Sequence, residues 1–453
     1  MRVHVVLLLS GLAWCAACQR PAPKLIPEIS PPLVQEEIAS WKGCVAGNTL
    51  FPVAGGVGWV DVTGRIMACD VAKRSVAEIF RASFAVEAAP FHQGDLLVLQ
   101  GKSADRLLVY DLAAREVKFE AVHLGAQDIL GIDADCLVYT EDGRLTVNFW
   151  RRAGVVFRSP AEAAPFLDCQ FSAERILVLA PEFLHTFRKG SGRFERERLP
   201  LPAVSPFASS GDHIYYGSSG RFLAKYSTRK KRLAWKVKLG KLLERRPLVF
   251  AGTVVAGPED NNVLLVNERG SILWWQALGS TLRFDLLRMR EHLAAVLMNR
   301  DITFIDPKRR CLTVFPGAKR PSGPPLAYGG GLYFLASDGD ACRLQRVANR
   351  CGIDIELEPA PVRWAGRSVR FSLRPVNLVE PSWTCVIRDA AGQQVFFKSM
   401  ATAEKTSLAW VPPRAGKYVI EARARSRGRS DENKASLQVV DERSLAPSFY
   451  LHF

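Results

Sequence analysis

The stretch Val263-Leu264-Leu265-Val266-Asn267-Glu268-Arg269-Gly270-Ser271-Ile272-Leu273-Trp274-Trp275 constrains this chain more than any other feature. Two apolar runs flank a polar turn, the pattern of a β-hairpin. The unit recurs down the sequence in eight segments of about 35–42 residues, the period of propeller blades. The segments begin near Val45, Ala89, Ile129, Pro165, Pro206, Pro247, Phe284 and Pro325, and the last ends near Leu357. Each has three apolar runs separated by turns, the last turn charged. A unit of four short strands cannot bury its own faces, whereas radial stacking buries them and leaves only short protected edges. The expected fold is all-β, a seven- or eight-bladed β-propeller over 41–357. Seven blades would follow if the first and last segments shared one.

The pattern changes at Glu358-Pro359-Ala360-Pro361. Short alternating runs follow, among them Val369–Leu373, Trp383–Ile387, Ser407–Trp410 and Gly416–Arg423. Their number and spacing predict an immunoglobulin-like β-sandwich over 358–441. The last residues, 442–453, form a tail with an apolar end, expected to be a loose terminus.

At the other end, Arg2 and His4 precede the apolar run Val5–Trp14, then Cys15-Ala16-Ala17-Cys18. A charged start, a short apolar run and small residues make a leader, 1–18, too short to span a bilayer. Five prolines within Gln19–Pro32 suit an extended tether, assigned to 19–40. Export implies a compartment that permits disulfides. The Ala-Ala-Cys ending resembles a bacterial lipoprotein box, which implies lipidation of Cys18, although Cys15 stands where that box usually has Leu. Gln19 rather than Asp leaves the outer membrane open as destination.

Two phrases, Asp61-Val62-Thr63-Gly64 and Asn267 to Trp274, resemble the repeats of pyrroloquinoline-quinone-type propellers. Trp235 before Lys-Val-Lys-Leu-Gly240, and Trp274-Trp275 before Gln-Ala-Leu-Gly279, are similar to the blade endings of that family. The family holds quinone-dependent dehydrogenases and non-catalytic lipoproteins, including the propeller lipoprotein of the outer-membrane β-barrel assembly machine. The resemblance implies a PQQ-like repeat propeller with either fate.

For catalysis, Asp128, Asp133, Asp135, Glu259 and Asp260 are candidate Ca²⁺ ligands, since hard cations take clustered carboxylates. The chain lacks the adjacent Cys pair on which many quinone enzymes stack the cofactor. His92, His123, His185, His213, His292 and His452 show no paired spacing, and neither a GxSxG nor a P-loop occurs. Past the leader, no CxxC spacing supports a zinc ribbon or thioredoxin-like site. Cys342 and Cys351 bracket eight residues and are a candidate disulfide across a hairpin. The other cysteines past the leader read mostly as buried thiols.

Net charge is +16 and the pI is near 9.5, which favours anionic partners. The turn before the last apolar run of nearly every segment is basic: Lys73-Arg74, Arg115, Arg151-Arg152, Arg188-Lys189, Arg229-Lys230-Lys231-Arg232, Arg269 and Lys308-Arg309-Arg310. In a propeller these turns share one face, so a cationic rim is expected. Further basic sets are Lys236, Lys238, Lys241, Arg245 and Arg246, and Arg423, Arg425, Arg427 and Arg429. The expected function is a non-enzymatic, lipid-anchored envelope scaffold, with outer-membrane protein assembly as its specific version by resemblance. No cofactor is expected. The partner would be an envelope protein or an anionic membrane surface, not nucleic acid, and the chain would be a monomer within a larger complex. The alternative is a quinone- or metal-dependent enzyme, or a carbohydrate-binding protein, working at the propeller channel.

Overall fold

A computed structural model of the protein describes residues 33–42, 49–101, 106–122, 126–150, 155–161, 165–338, 341–349, 352–358, 363–378, 381–402, 404–426 and 429–440. Among them every regular element is a strand, and no helix is long and apolar enough to cross a membrane. The chain divides into two compact units, one of which spans Pro31–Asn349 and the other of which includes Arg350–Phe453.

The larger unit holds eight four-stranded antiparallel sheets among the described residues. Seven are contiguous in sequence: 51–81, 91–122, 129–161, 168–198, 203–238, 248–277 and 287–315. The eighth takes three strands from 326–349 and its outer strand from Leu33–Lys42. First strands of neighbouring sheets lie side by side from the second sheet to the sixth. The first strand of the eighth touches those of both the seventh and the first, so the succession returns to its start.

Second and third strands form the buried middle of each sheet. Leu96–Leu99 and Leu107–Tyr110 in the second sheet, and Val263–Val266 in the sixth, are apolar on both faces because each face packs on a different neighbour. One cluster joins Phe51, Val60 and Ile66 of the first sheet to Leu97, Leu108 and Tyr110 of the second. Another joins Val263 and Leu265 of the sixth to Leu293, Ala295 and Ile305 of the seventh. Burying one such side chain contributes about 1.5–3 kcal/mol, so these inter-sheet seams are the main favourable term.

Two boundaries differ from the sequence reading. Residues 33–40, assigned to a tether, belong to a strand antiparallel to Ala341–Asn349, paired from Leu33↔Asn349 to Trp41↔Cys342 with one register shift between Glu37 and Ala39. Ile38 is buried, Glu36 pairs with Arg346 at 2.7 Å, and Trp41 stacks on Trp59 of the first sheet at 4.1 Å. At the other end, Gly352–Leu357, read as propeller, pairs with Val369–Val376 of the second unit. Ile355 and Leu357 pack against that unit's core.

Of the expected Cys342–Cys351 bridge, Cys342 is buried and disulfide-bonded, and Cys351 lies outside the described residues.

In the second unit a three-stranded sheet and the four-stranded sheet containing Ser382–Asp389 and Gly416–Ser426 share one core. Phe371 and Leu373 come from the first sheet, Trp383, Ile387, Tyr418 and Ile420 from the second. Trp410 meets Tyr418 edge-on at 4.8 Å, and the Tyr418 hydroxyl donates to the Arg414 carbonyl at 2.8 Å. The leader, Cys18, residues 19–32 and the tail 442–453 lie outside the described residues.

Candidate functional site: a cationic rim

The basic turns link the third and fourth strands of successive sheets, and they share a backbone solution. In Asp70-Val-Ala-Lys-Arg74, Asp70 Oδ1 accepts the N–H groups of Ala72 and Lys73, both at 3.0 Å. Asp111 does the same for Ala113 and Ala114, and Asp306 for Lys308 and Arg309. In the fifth sheet Ser227 Oγ accepts from Lys230 N–H at 3.2 Å. The turn then closes through a left-handed residue, and in all four sheets that residue is basic: Arg74 (φ 53°), Arg115 (57°), Lys231 (51°) and Arg310 (56°). Gly, Asn or Asp normally occupies such a position, because a Cβ there costs about 1–2 kcal/mol. A strained backbone kept at equivalent positions points to a role for the side chains.

The rim residues do not all face solvent alone. Arg74 pairs with Glu36, Lys73 with Asp70, Lys231 with Glu195 and Glu197, and Arg309 with Asp306. Lys189 turns inward and pairs with Asp133 of the third sheet, beside Phe171. Arg115, Lys230, Arg232, Lys308 and Arg310 are exposed. Arg151 and Arg152 lie outside the described residues, so the third sheet's turn is not part of the described rim.

A recess lies on the rim at the fifth sheet. A half-open groove of about 620 Å³ at the fifth sheet is lined by Asp212, His213, Ser227, Arg229, Lys230, Arg232, Leu233 and Ala234. Asp212 comes from the turn between that sheet's first two strands and His213 opens the second of them, beside the basic turn. Arg175 of the fourth sheet holds Asp212 at 3.3 Å, and Arg229 approaches it at 3.9 Å. Burial and then nearby Lys225 lower the His213 pKa, favouring the neutral ring. Sequence reading found the basic turn and named His213 only as an unpaired histidine; it missed Asp212 and Arg175, which only the sheet pairing brings beside them.

A second polar assembly lies at the first strands. Asp168 is buried and pairs with Arg246 Nη2 at 2.7 Å, while Phe207 N–H donates to its other oxygen at 3.1 Å. Arg246 N–H donates to Asp285 Oδ1 at 3.1 Å. One arginine thus connects segments of the fourth, sixth and seventh sheets. Burial pushes the Asp168 carboxyl up to about 6 against the opposing pull of Arg246. A buried, shifted carboxylate can mark a reactive site, but its guanidinium and amide partners give this one an adequate structural role.

The candidate Ca²⁺ ligands are not brought together. Asp128 precedes the strand Ile129–Ile132, and Asp133 and Asp135 follow it. Asp133 is occupied by Lys189 and by the N–H groups of Asp135 and Cys136. Glu259 and Asp260 belong to the sixth sheet, where Glu259 is held protonated more readily by burial and by Glu244. Among the described residues no group of three or more His, Cys, Asp or Glu is placed to hold a metal ion.

No family model and no curated protein sequence matches the chain. Solved structures do. The crystal structure of BamB from Moraxella catarrhalis is similar with a TM-score of 0.53 at 14% identity, covering 69% of this chain and 100% of that one. The computationally designed Ika8 protein is similar with a TM-score of 0.55 at 14% identity, covering 68% and 98%. At that identity the likeness concerns fold alone. Together with the returning succession of four-stranded sheets, it makes the larger unit a β-propeller.

Proposed function

We propose that this chain is a non-catalytic docking scaffold of the cell envelope, an eight-bladed propeller with an immunoglobulin-like sandwich, held to a membrane through Cys18 and acting in outer-membrane protein assembly as BamB-type lipoproteins do. The observation that carries the reading is the rim: four blades place Arg or Lys in a left-handed turn position that favours Gly. An interaction surface needs such repeated exposed groups on a rigid frame, not a convergent reactive centre. The docking of Trp235 on the turn of the next sheet supports the PQQ-like repeat. Its Nε1 donates to Glu268 O at 2.8 Å, and its ring packs over Gly270.

The test is affinity capture of the full-length chain from its own envelope at physiological salt, with quinone and Ca²⁺ assayed on the same sample. The scaffold reading expects a stoichiometric envelope partner that is lost in the triple variant Arg74→Glu, Arg115→Glu, Arg310→Glu. Stoichiometric quinone or Ca²⁺, with no charge-dependent partner, would overturn it.

A further inference from the structure

We infer that the groove of the fifth sheet binds the phosphate of an anionic lipid head group, and that it is the point at which the cationic rim grips a membrane surface. The inference rests on the rim's being a docking surface and adds what it docks to.

Three cations, Arg229, Lys230 and Arg232, line one recess with the imidazole of His213 and the hydroxyl of Ser227. The single carboxylate there, Asp212, is shared between Arg175 from outside the recess and Arg229 within it, which leaves Lys230 and Arg232 to carry the excess charge. The groove therefore carries excess positive charge within a small volume. Among the described residues Lys230 and Arg232 have no ion-pair partner, although acidic groups nearby serve other cations: Glu195 and Glu197 take Lys231. A volume of about 620 Å³ lies within the usual range for a small-molecule site. Guanidinium groups present planar forks that match phosphate oxygens, and a lysine adds a point charge. Ser227 Oγ accepts from Lys230 N–H, which leaves its own proton to donate.

The source of the phosphate follows from the rest of the rim. Arg74, Arg115 and Arg310 occupy the turn position equivalent to Lys231 in three other blades. Exposed cations spaced around one end of a propeller suit an extended anionic surface better than a single soluble anion. A membrane supplies both the distributed charge and a head group small enough for the recess. Each basic residue near such a surface strengthens binding by about fivefold.

The test uses the full chain carrying Cys18→Ser, so that no acyl chain contributes, with vesicles of phosphatidylcholine alone or with phosphatidylglycerol. Binding is expected only with phosphatidylglycerol, and Lys230→Glu with Arg232→Glu should weaken it at least about 25-fold. The ring protons of His213 should shift on titration with glycerol phosphate in the parent and not in the double variant, whose His213 signals without ligand should stay dispersed as in the folded parent. Lys236→Glu with Lys238→Glu, on the strand Arg232–Lys238 beyond the basic turn, serves as the charge control and should have a smaller effect. Equal binding to both vesicles, equal loss in the control, or a His213 response to polyglutamate but not glycerol phosphate would each overturn the inference. In that last case the rim would remain a docking surface, for an acidic protein, and the envelope capture above would still succeed.

Discussion

The third-to-fourth-strand turns of the sixth and seventh sheets solve one problem in two ways. Both must reverse the chain through a left-handed residue. In Asn267-Glu-Arg-Gly270-Ser271, Asn267 Oδ1 accepts the N–H groups of Arg269 and Ser271, and Gly270 takes φ 87°. In Asp306-Pro-Lys-Arg-Arg310, Asp306 accepts from Lys308 and Arg309, and Arg310 takes φ 56°. The glycine turn is a seat for the preceding blade: a Cβ on Gly270 would lie 3.0 Å from Trp235 Cγ. The basic turn has no such guest. Trp274, which pairs with Leu265 as Trp235 does with Lys225, packs against the apolar seam. Among the described residues it makes no hydrogen bond to the seventh sheet's turn. One turn is spent on blade-to-blade cohesion, the other on presenting charge.

The largest effect is expected at a glycine of a different turn, between the second and third strands of the first sheet. Gly64, in Asp61-Val-Thr-Gly64, has φ 83°, and a Cβ there would meet the Phe84 carbonyl oxygen at 2.3 Å. Gly64→Ala combines left-handed strain with a backbone clash, and should cost about 2–4 kcal/mol by denaturant unfolding. A loss under about 1 kcal/mol would mean that the turn relaxes freely. Copying the seventh sheet into the sixth is milder: Gly270→Arg should cost about 2 kcal/mol and expose Trp235, seen as a red-shifted emission. The reverse copy should have the smallest effect and the opposite sign. Arg310→Gly relieves strain but adds freedom to the unfolded chain, for a net gain of about 0.5 kcal/mol. It should still weaken charge-dependent attachment about fivefold. A destabilised Arg310→Gly would show that the arginine serves the fold and not the rim.

The seven contiguous sheets could be read in the sequence because every element of the signal is local. Apolar runs, turn residues and their period recur within about 40 residues. The basic turns were legible for the same reason, since Asp70–Arg74 and Asp306–Arg310 are short motifs. The pairing of Leu33–Lys42 was not, because its partner strand is at the other end of the unit and the stretch follows a proline-rich run. The groove was half legible: its basic side is one motif, whereas Asp212 reaches it only through a neighbouring turn. Peptide mapping without reduction is expected to recover Cys342 in a disulfide-linked peptide; a free Cys342 thiol would contradict its bonded state.

The closing strand also gives the propeller a clock. Gln35 Nε2 donates to Gln345 Oε1 across a sequence separation of 310 residues. A chain that emerges N-terminus first, from the ribosome or across a membrane, presents the first strand well before its partner. For that interval seven sheets can assemble from their own contiguous sequence while Leu33–Lys42 waits without its partner. A bare strand is a template for pairing with any other chain. The Glu36-Glu37 pair in its middle, which later meets Arg346 and Arg343, therefore protects the strand before it anchors it. Two adjacent carboxylates repel a second copy of the same strand until its own partner arrives.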